Sequence, residues 1–334
     1  MAKKPLFIVK FSGDYLDLGK AEFEELFLTD CRDFSKKENL FFIYDDIFSE
    51  QDKYARLGLT KEIYKILSVI KGGTVKKCLT MLDVGLFESS FKISTAKNLN
   101  SDEKMNSKIC ADMLFETHKD NSFIVDINSP EHEYICFFRK NIFIDQYELF
   151  FCEKIFTNKD VGENRRSHLK IRNHPTSSHP KILRAMINLA NSSSFHDPFC
   201  GAGGLLIEGG LMGLGVSGSD LDKLMIIRAK ENINSFDLSI HLEVVDALDF
   251  SEKQEAIITD LPFGKNSTTK GKSIEELYFS FILHSEDLTD ILVIGFENES
   301  INKFYLRETS WKLKRSISYY VHKNMTRTIW LLRK

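Results

Sequence analysis

The run from Ala256 to Lys265, A-I-I-T-D-L-P-F-G-K, sets a carboxylate, a proline and an aromatic ring directly behind a stretch of strand character. Pro262 has no N–H to give to a sheet, so the strand must stop where Asp260 emerges. In an open parallel sheet, ligands bind beyond the carboxyl ends of the strands. An ionised carboxylate only accepts hydrogen bonds, and a flat ring stacks on a flat partner. Asp260, the Leu261 carbonyl, the rigid Pro262 and the plane of Phe263 together suit methyl transfer to an exocyclic amine on a planar base. The acid and the carbonyl hold the amine hydrogens while Phe263 covers the ring. The same residues also read as a buried strand ended by a proline turn, so other parts of the chain have to decide.

A second cluster precedes it. His196 to Gly204 reads H-D-P-F-C-G-A-G-G and runs into the helix-like L-L-I-E-G-G-L-M. A glycine turn between strand and helix lets backbone approach a bound ligand closely, so Phe199, Gly201 and Gly203 are candidate cofactor contacts, with Asp197 near the ligand's cationic end. Asp220 ends the next expected strand, where a carboxylate can accept both hydroxyls of a ribose. Asp246 ends the one after, placed to take a hydrogen bond from an adenine amino group. Asp197, Asp220, Asp246 and Asp260 thus fall at successive strand ends.

Other patterns fail on context. Gly213-Leu-Gly-Val-Ser-Gly218 has dinucleotide-fingerprint spacing but follows a helix and enters a strand, the reverse of what that fingerprint requires. Gly213 and Gly215 read instead as a helix end and a turn. Thr268 to Ser273 imitates the end of a P-loop, yet Asn266 stands where its first glycine belongs. His168, His174 and His179 lack the spacing of zinc ligands on a helix face.

These residues need a scaffold. In the second half, Lys181 to Ala190 and Lys223 to Asn232 read as helices, the latter capped by Asp222, and Ile274 to Ser285 as another. His241 to Val245 and Ile291 to Glu297 read as strands, and Ile317 to His322 with Thr326 to Leu332 as a closing hairpin. A mostly parallel sheet with a terminal antiparallel hairpin follows. In the first half, Leu6 to Phe11 and Leu40 to Tyr44 read as strands and Leu18 to Leu28 as a helix. Lys53 to Lys77 mixes cations with apolar residues as in an amphipathic helix, whose basic face is either plain solvent surface or a track for phosphates. Ser101 to Lys119 is helix-like. Ser122 to Ile127, Glu133 to Phe138 and Ile142 to Phe151 follow as strands. Between Asn158 and Pro180 the chain turns polar and bunches Arg165, Arg166, Lys170 and Arg172, which reads as a charged connector or as a hinge that grips phosphates.

With 334 residues the chain has room for two or three cores. Its net charge of −3 argues against a uniformly basic coat while leaving room for a local basic track. The six cysteines are scattered without C-x-x-C pairs, as in a reduced cytoplasmic protein. No apolar run approaches a membrane span, so no membrane partner is expected.

D-P-F-C-G-A-G-G with G-S-D-L-D, V-V-D-A and T-D-L-P-F-G resembles S-adenosylmethionine-dependent RNA methyltransferases acting on guanine N2. More narrowly the chain resembles the THUMP-containing tRNA (guanine(10)-N2)-methyltransferases, through H-P-T-S-S-H-P-K-I-L-R-A-M-I-N-L-A, E-E-L-Y and V-H-K-N-M-T-R-T-I-W as well. The likeness covers 160–334 strongly and the first half more loosely, where V-D-I-N-S-P-E resembles the end of a THUMP module. The resemblance implies an α/β protein with a Rossmann-like class I methyltransferase domain at 181–334, behind a ferredoxin-like domain at 1–52, a THUMP domain at 53–156 and a linker at 157–180. It implies S-adenosyl-L-methionine as cofactor, tRNA as partner, and in some relatives a small activator subunit. Leu261 and Phe263 depart from the family's usual Pro and Tyr, and Gly204 replaces the usual Thr. A DNA or RNA amino-methyltransferase acting on cytosine N4 or adenine N6 shares the acid-Pro-aromatic logic. An RNA-binding adaptor with a dead methyltransferase fold is the non-enzymatic alternative.

Overall fold

The computed structural model describes residues 6–33, 40–45, 47–87, 89–96, 106–141, 144–160, 162, 165, 178–262, 273–297, 301, 303–322 and 325–334. The chain divides into two compact units. Met1–Gly13, Thr29–Gln51 and Thr60–Asn158 form the first, and Asp14–Leu28, Asp52–Leu59 and Lys159–Lys334 the second.

In the first unit the described strands are β1 (Leu6–Phe11), β2 (Arg32–Asp33), β3 (Phe41–Asp45), β4 (Thr60–Gly72), β5 (Ser90–Thr95), β6 (Ile124–Val125), β7 (His132–Asn141) and β8 (Gln146–Thr157). They make one sheet in the order β2-β3-β1-β4-β8-β7-β5-β6. Because β4 pairs with β1 on one side and β8 on the other, the sheet runs straight through the domain boundary expected at 52/53. β4 is also a correction to the basic helix expected there. Ile63, Tyr64, Ile66, Val69 and Ile70 are β-branched or aromatic, the types that pack on a pleated surface. Ile63 and Tyr64 are buried, with Tyr64 set edge-on against Phe137. Its cations are strand residues, and Lys71 Nζ meets Glu148 of β8 at 3.2 Å. The unit also holds helices α2 (Val75–Thr80) and α3 (Ser107–Thr117), the second capped by Asn106 Oδ1 on the Ile109 N–H at 2.9 Å.

The second unit begins with α1 (Leu16–Phe27), which the sequence assigned to the first domain. It is fastened within this unit. Glu22 accepts the N–H groups of Gly58 and Leu59 and the side-chain amide of Asn188, at 2.7, 2.9 and 2.8 Å. Arg315 donates to Glu24 and Glu25 at 3.1 and 2.8 Å.

The rest of the unit is α4 (Pro180–Ala190), β9 (Ser194–Asp197), α5 (Gly204–Leu211), β10 (Gly215–Asp220), α6 (Lys223–Asn234), β11 (His241–Val244), β12 (Ile257–Asp260), α7 (Ile274–His284), β13 (Ile291–Glu297), β14 (Lys312–His322) and β15 (Met325–Arg333). The sheet order is β11-β10-β9-β12-β13-β15-β14. β9 to β13 run parallel, and β15 returns antiparallel on β13 with β14 outside it, the Rossmann-like shape expected. From β9 the chain steps outward to β10 and β11, then crosses back to place β12 on the opposite side of β9. That reversal is a topological switch point, where such sheets bind ligands.

Local chemistry fixes the helices. Pro180 opens α4 with its preset φ, His179 Nδ1 accepts the Lys181 N–H at 3.2 Å, and Asn191 at φ 46° ends the helix. Ser273 and Glu276 form a reciprocal capping box on α7. Among the described residues no helix is long and apolar enough to cross a membrane.

Candidate active site

Asp197, Asp220 and Asp260 are the last residues of β9, β10 and β12, so all three stand at the carboxyl edge of one parallel sheet. Asp246 lies two residues past β11, on the same side. The turn after β9 carries Gly201 at φ 51° and Gly203 at φ 82°, a left-handed pair that residues with a Cβ adopt only at a cost. Among the described residues, a Cβ on Gly201 would meet nothing nearer than the Phe199 carbonyl at 4.0 Å, so they leave this face of the turn open for a ligand to approach. Gly203 leads into α5, where a Cβ would press on Ala229 at 3.3 Å.

Each acid has a definite environment. Asp197 is buried and accepts the Thr259 hydroxyl at 2.6 Å and the Phe199 N–H at 3.1 Å. Burial pushes its carboxyl up to about 7; those two hydrogen bonds oppose the rise and the Asp220 charge adds to it. Asp220 spreads one oxygen to the Gly201 N–H at 2.8 Å and the other to the Asp222 N–H at 2.9 Å, fixing glycine turn and helix start together. Asp246 Oδ1 accepts the Leu248 N–H at 3.0 Å. Beneath them, His196 lies flat on Phe250 and bonds Ser217 and Ser219; burial drives its imidazole down to about 4, so it is neutral packing material.

Asp260 is partly exposed, 18% for its side chain, beside an Arg327 that is only 4% exposed. Arg327, on β15, grips the carboxylate with both terminal nitrogens, Nη1 at 2.9 Å from Oδ2 and Nη2 on Oδ1. Ser178 donates to the same Oδ2 at 2.9 Å and accepts from Arg327 Nη1 at 2.6 Å. Burial lowers the guanidinium to about 10, which leaves it charged at neutral pH. The Leu261 side chain is fully buried, and its N–H continues the ladder to the Gly295 carbonyl at 2.8 Å. The Pro262 carbonyl accepts the Tyr278 hydroxyl. Of the Leu261-Pro262 pair, then, the Leu261 carbonyl is the candidate second acceptor beside Asp260.

A methyltransferase-domain family described as "RMKL-like, methyltransferase domain" matches residues 168–329. A "Probable tRNA (guanine(10)-N2)-dimethyltransferase" of Methanothermococcus thermolithotrophicus is 30% identical over 173 residues, 46% of this chain and 98% of its own length. The chain belongs to the tRNA (guanine(10)-N2)-methyltransferase family. Another relative, the "tRNA (guanine(10)-N2)-dimethyltransferase" of Methanothermobacter thermautotrophicus, is 33% identical over 181 residues, 52% of this chain. The chain spans about half the length of that relative, 54%. Among solved structures, TrmN from Thermus thermophilus is similar at 16% identity and a TM-score of 0.49, over 98% of this chain and 99% of its own.

In this member of the family Arg165 is a correction. It is buried rather than presented to phosphates: Nε sits 2.8 Å from Glu208, and Nη2 2.9 Å from Asp160. Arg184 joins the same Glu208 at 2.8 Å and Asp160 at 3.1 Å. Burial pulls the Arg165 guanidinium down, and the two carboxylates more than offset this and raise it. Phe263, Arg166, Lys170 and Arg172 lie outside the described residues. Arg327, Ser178, Thr259 and Tyr278 were not singled out from the sequence. Arg327 and Ser178 lie inside runs that carry the family resemblance, but no local pattern announces that they converge on Asp260.

Proposed function

We propose that this chain methylates the exocyclic N2 amine of a guanosine in tRNA, at position 10 as in its relatives' names, with S-adenosylmethionine as methyl donor. The observation that carries the reading is a partly exposed carboxylate, Asp260, at the carboxyl edge of the sheet on one side of the switch point, with the buried Asp197 and the open glycine turn on the other.

The donor set suits this cofactor. Asp197 would face its cationic end, Asp220 its ribose diol and Asp246 its adenine amine, with Phe199, Gly201 and Gly203 as the close backbone turn. When bound, the cofactor supplies a methyl group made electrophilic by a sulfonium centre. Asp260 and the Leu261 carbonyl each accept one hydrogen of the target amine, so that the nitrogen turns its lone pair out of conjugation and toward the methyl. Pro262, pinned through its carbonyl by Tyr278, keeps the turn rigid, and Phe263 stacks on the extruded base, recovering part of the few kcal/mol that leaving the stack costs.

We assign tRNA recognition to the first unit, in line with the THUMP resemblance around Val125 to Glu131. Phosphate contacts are assigned to Arg166, Lys170 and Arg172, and the place of work to the cytoplasm. Nucleoside mass spectrometry of a tRNA transcript incubated with the protein and S-adenosylmethionine tests the reading. The expected product is N2-methylguanosine, with or without the dimethyl form. Methyl groups on cytosine N4 or adenine N6, or turnover on duplex DNA, would replace it with another amino-methyltransferase.

A further inference from the structure

A carboxylate offers about four lone-pair positions, two on each oxygen. At Asp260 the described residues occupy three. Oδ2 takes Arg327 Nη1 at 2.9 Å and the Ser178 hydroxyl at 2.9 Å, and Oδ1 takes Arg327 Nη2. The carboxyl plane is also confined from behind. On β13, Gly295 approaches so closely that a Cβ there would stand 2.9 Å from Oδ1 and 3.1 Å from the methyl of Met186.

We propose that Arg327, seated by Ser178, is a positioning residue that leaves Asp260 a single acceptor position, on Oδ1, for one hydrogen of the target amine. This rests on the function proposed above. Its chemical consequence concerns the edge of guanine, which presents N1–H and N2–H side by side. A carboxylate free to turn would accept both in the plane of the ring, as a bidentate pair. In-plane pairing binds the base well but keeps the N2 lone pair conjugated and unreactive. With one position left, Asp260 cannot make that pair, and the two amine hydrogens must divide between Oδ1 and the Leu261 carbonyl. The clamp therefore works against tight, unproductive binding and in favour of the reactive geometry. The base thus meets one half of an ion pair.

The test is steady-state kinetics of R327K, R327A and S178A in the 334-residue chain on a tRNA transcript. Cofactor affinity by calorimetry and thermal melts accompany them as controls for folding. Lysine keeps the charge but not the planar fork. The expected result is a fall in kcat on the order of 100-fold for R327K, with KM for tRNA unchanged or lower, as misplaced catalytic groups produce. S178A should lose on the order of tenfold in kcat by the same misplacement. Adding methylguanidinium to R327A should restore part of kcat, which a purely structural arginine would not show. R327K and S178A at wild-type kcat, or losses that appear only in KM, overturn the inference alone. A wild-type protein that methylates no tRNA overturns the proposed function and the inference with it.

Discussion

The Thr259 hydroxyl donates to Asp197 Oδ1 at 2.6 Å, tying the strand that ends in Asp260 to the strand that ends in the buried acid. That bond opposes a burial large enough to carry the Asp197 carboxyl to about 7. A cationic ligand beside Asp197 favours its ionised form, so binding below that pH must expel a proton. Affinity for S-adenosylmethionine should therefore strengthen as pH rises and level off above about 7. Calorimetry in buffers of different ionisation enthalpy measures both the affinity and the proton release. Thr259→Val should shift the profile to higher pH and Asp197→Asn should flatten it. A wild-type affinity independent of pH removes Asp197 from the cofactor's cationic end.

Glu22 carries a second displaced carboxyl. Burial raises it from 4.5 to about 7, against hydrogen bonds from Gly58, Asn188 and Leu59 and the charge of Arg184. The folded-state value stands above the unfolded one, so folding favours the protonated form. The contribution to stability is whole below about 4.5 and is lost as pH rises through about 7. Urea unfolding across that window should show a declining free energy. Glu22→Gln should flatten its slope, while costing about 1–3 kcal/mol because an amide NH2 must face a backbone donor.

The second half was legible because its local signals and its tertiary fold agree. Asp222 caps a helix and Pro262 follows the end of a strand as their sequence context implies, and parallel strands ending in acids give a recurring mark. The first half was less so. β4 interleaves lysines with apolar residues at spacings that fit a helix as well as a strand, and only its pairing on both sides with β1 and β8 decides. Basic residues between 158 and 180 looked alike in sequence, yet one partner of Arg165 is Glu208, 43 positions away. The grip of Arg327 on Asp260 spans 67 positions and crosses β13. Asp260 could be singled out from its own run of sequence, whereas its contact with Arg327 is one that only the assembled sheet creates.

Asp260→Ala should abolish methyl transfer while leaving cofactor binding intact. Because Arg327 is then left buried without its carboxylate, stability should also fall, by about 3 kcal/mol. The double variant Asp260→Ala with Arg327→Met removes both charges and should regain most of that stability with no return of activity. Nucleoside mass spectrometry and urea denaturation on the same preparations separate the two effects. Methyl transfer by Asp260→Ala at the wild-type rate would take Asp260 out of the mechanism.

Arg165 and its neighbours in sequence should respond to substitution in different ways. Arg165→Ala leaves Glu208, 2% exposed, with one guanidinium in place of two, so the expected loss is stability, about 3 kcal/mol as for other broken buried pairs. The dependence of tRNA affinity on salt should be that of the wild type, because the cations assigned to phosphates are still in place. Neutralising Arg166, Lys170 and Arg172 should do the reverse. For each phosphate left without its cation, the slope of log affinity against log salt falls by about 0.7–0.9, since fewer counterions are released, and the melting temperature should hold. Filter binding at a series of salt concentrations, beside thermal melts, reads both quantities. A reduced salt slope in Arg165→Ala at full stability would return that residue to the RNA surface.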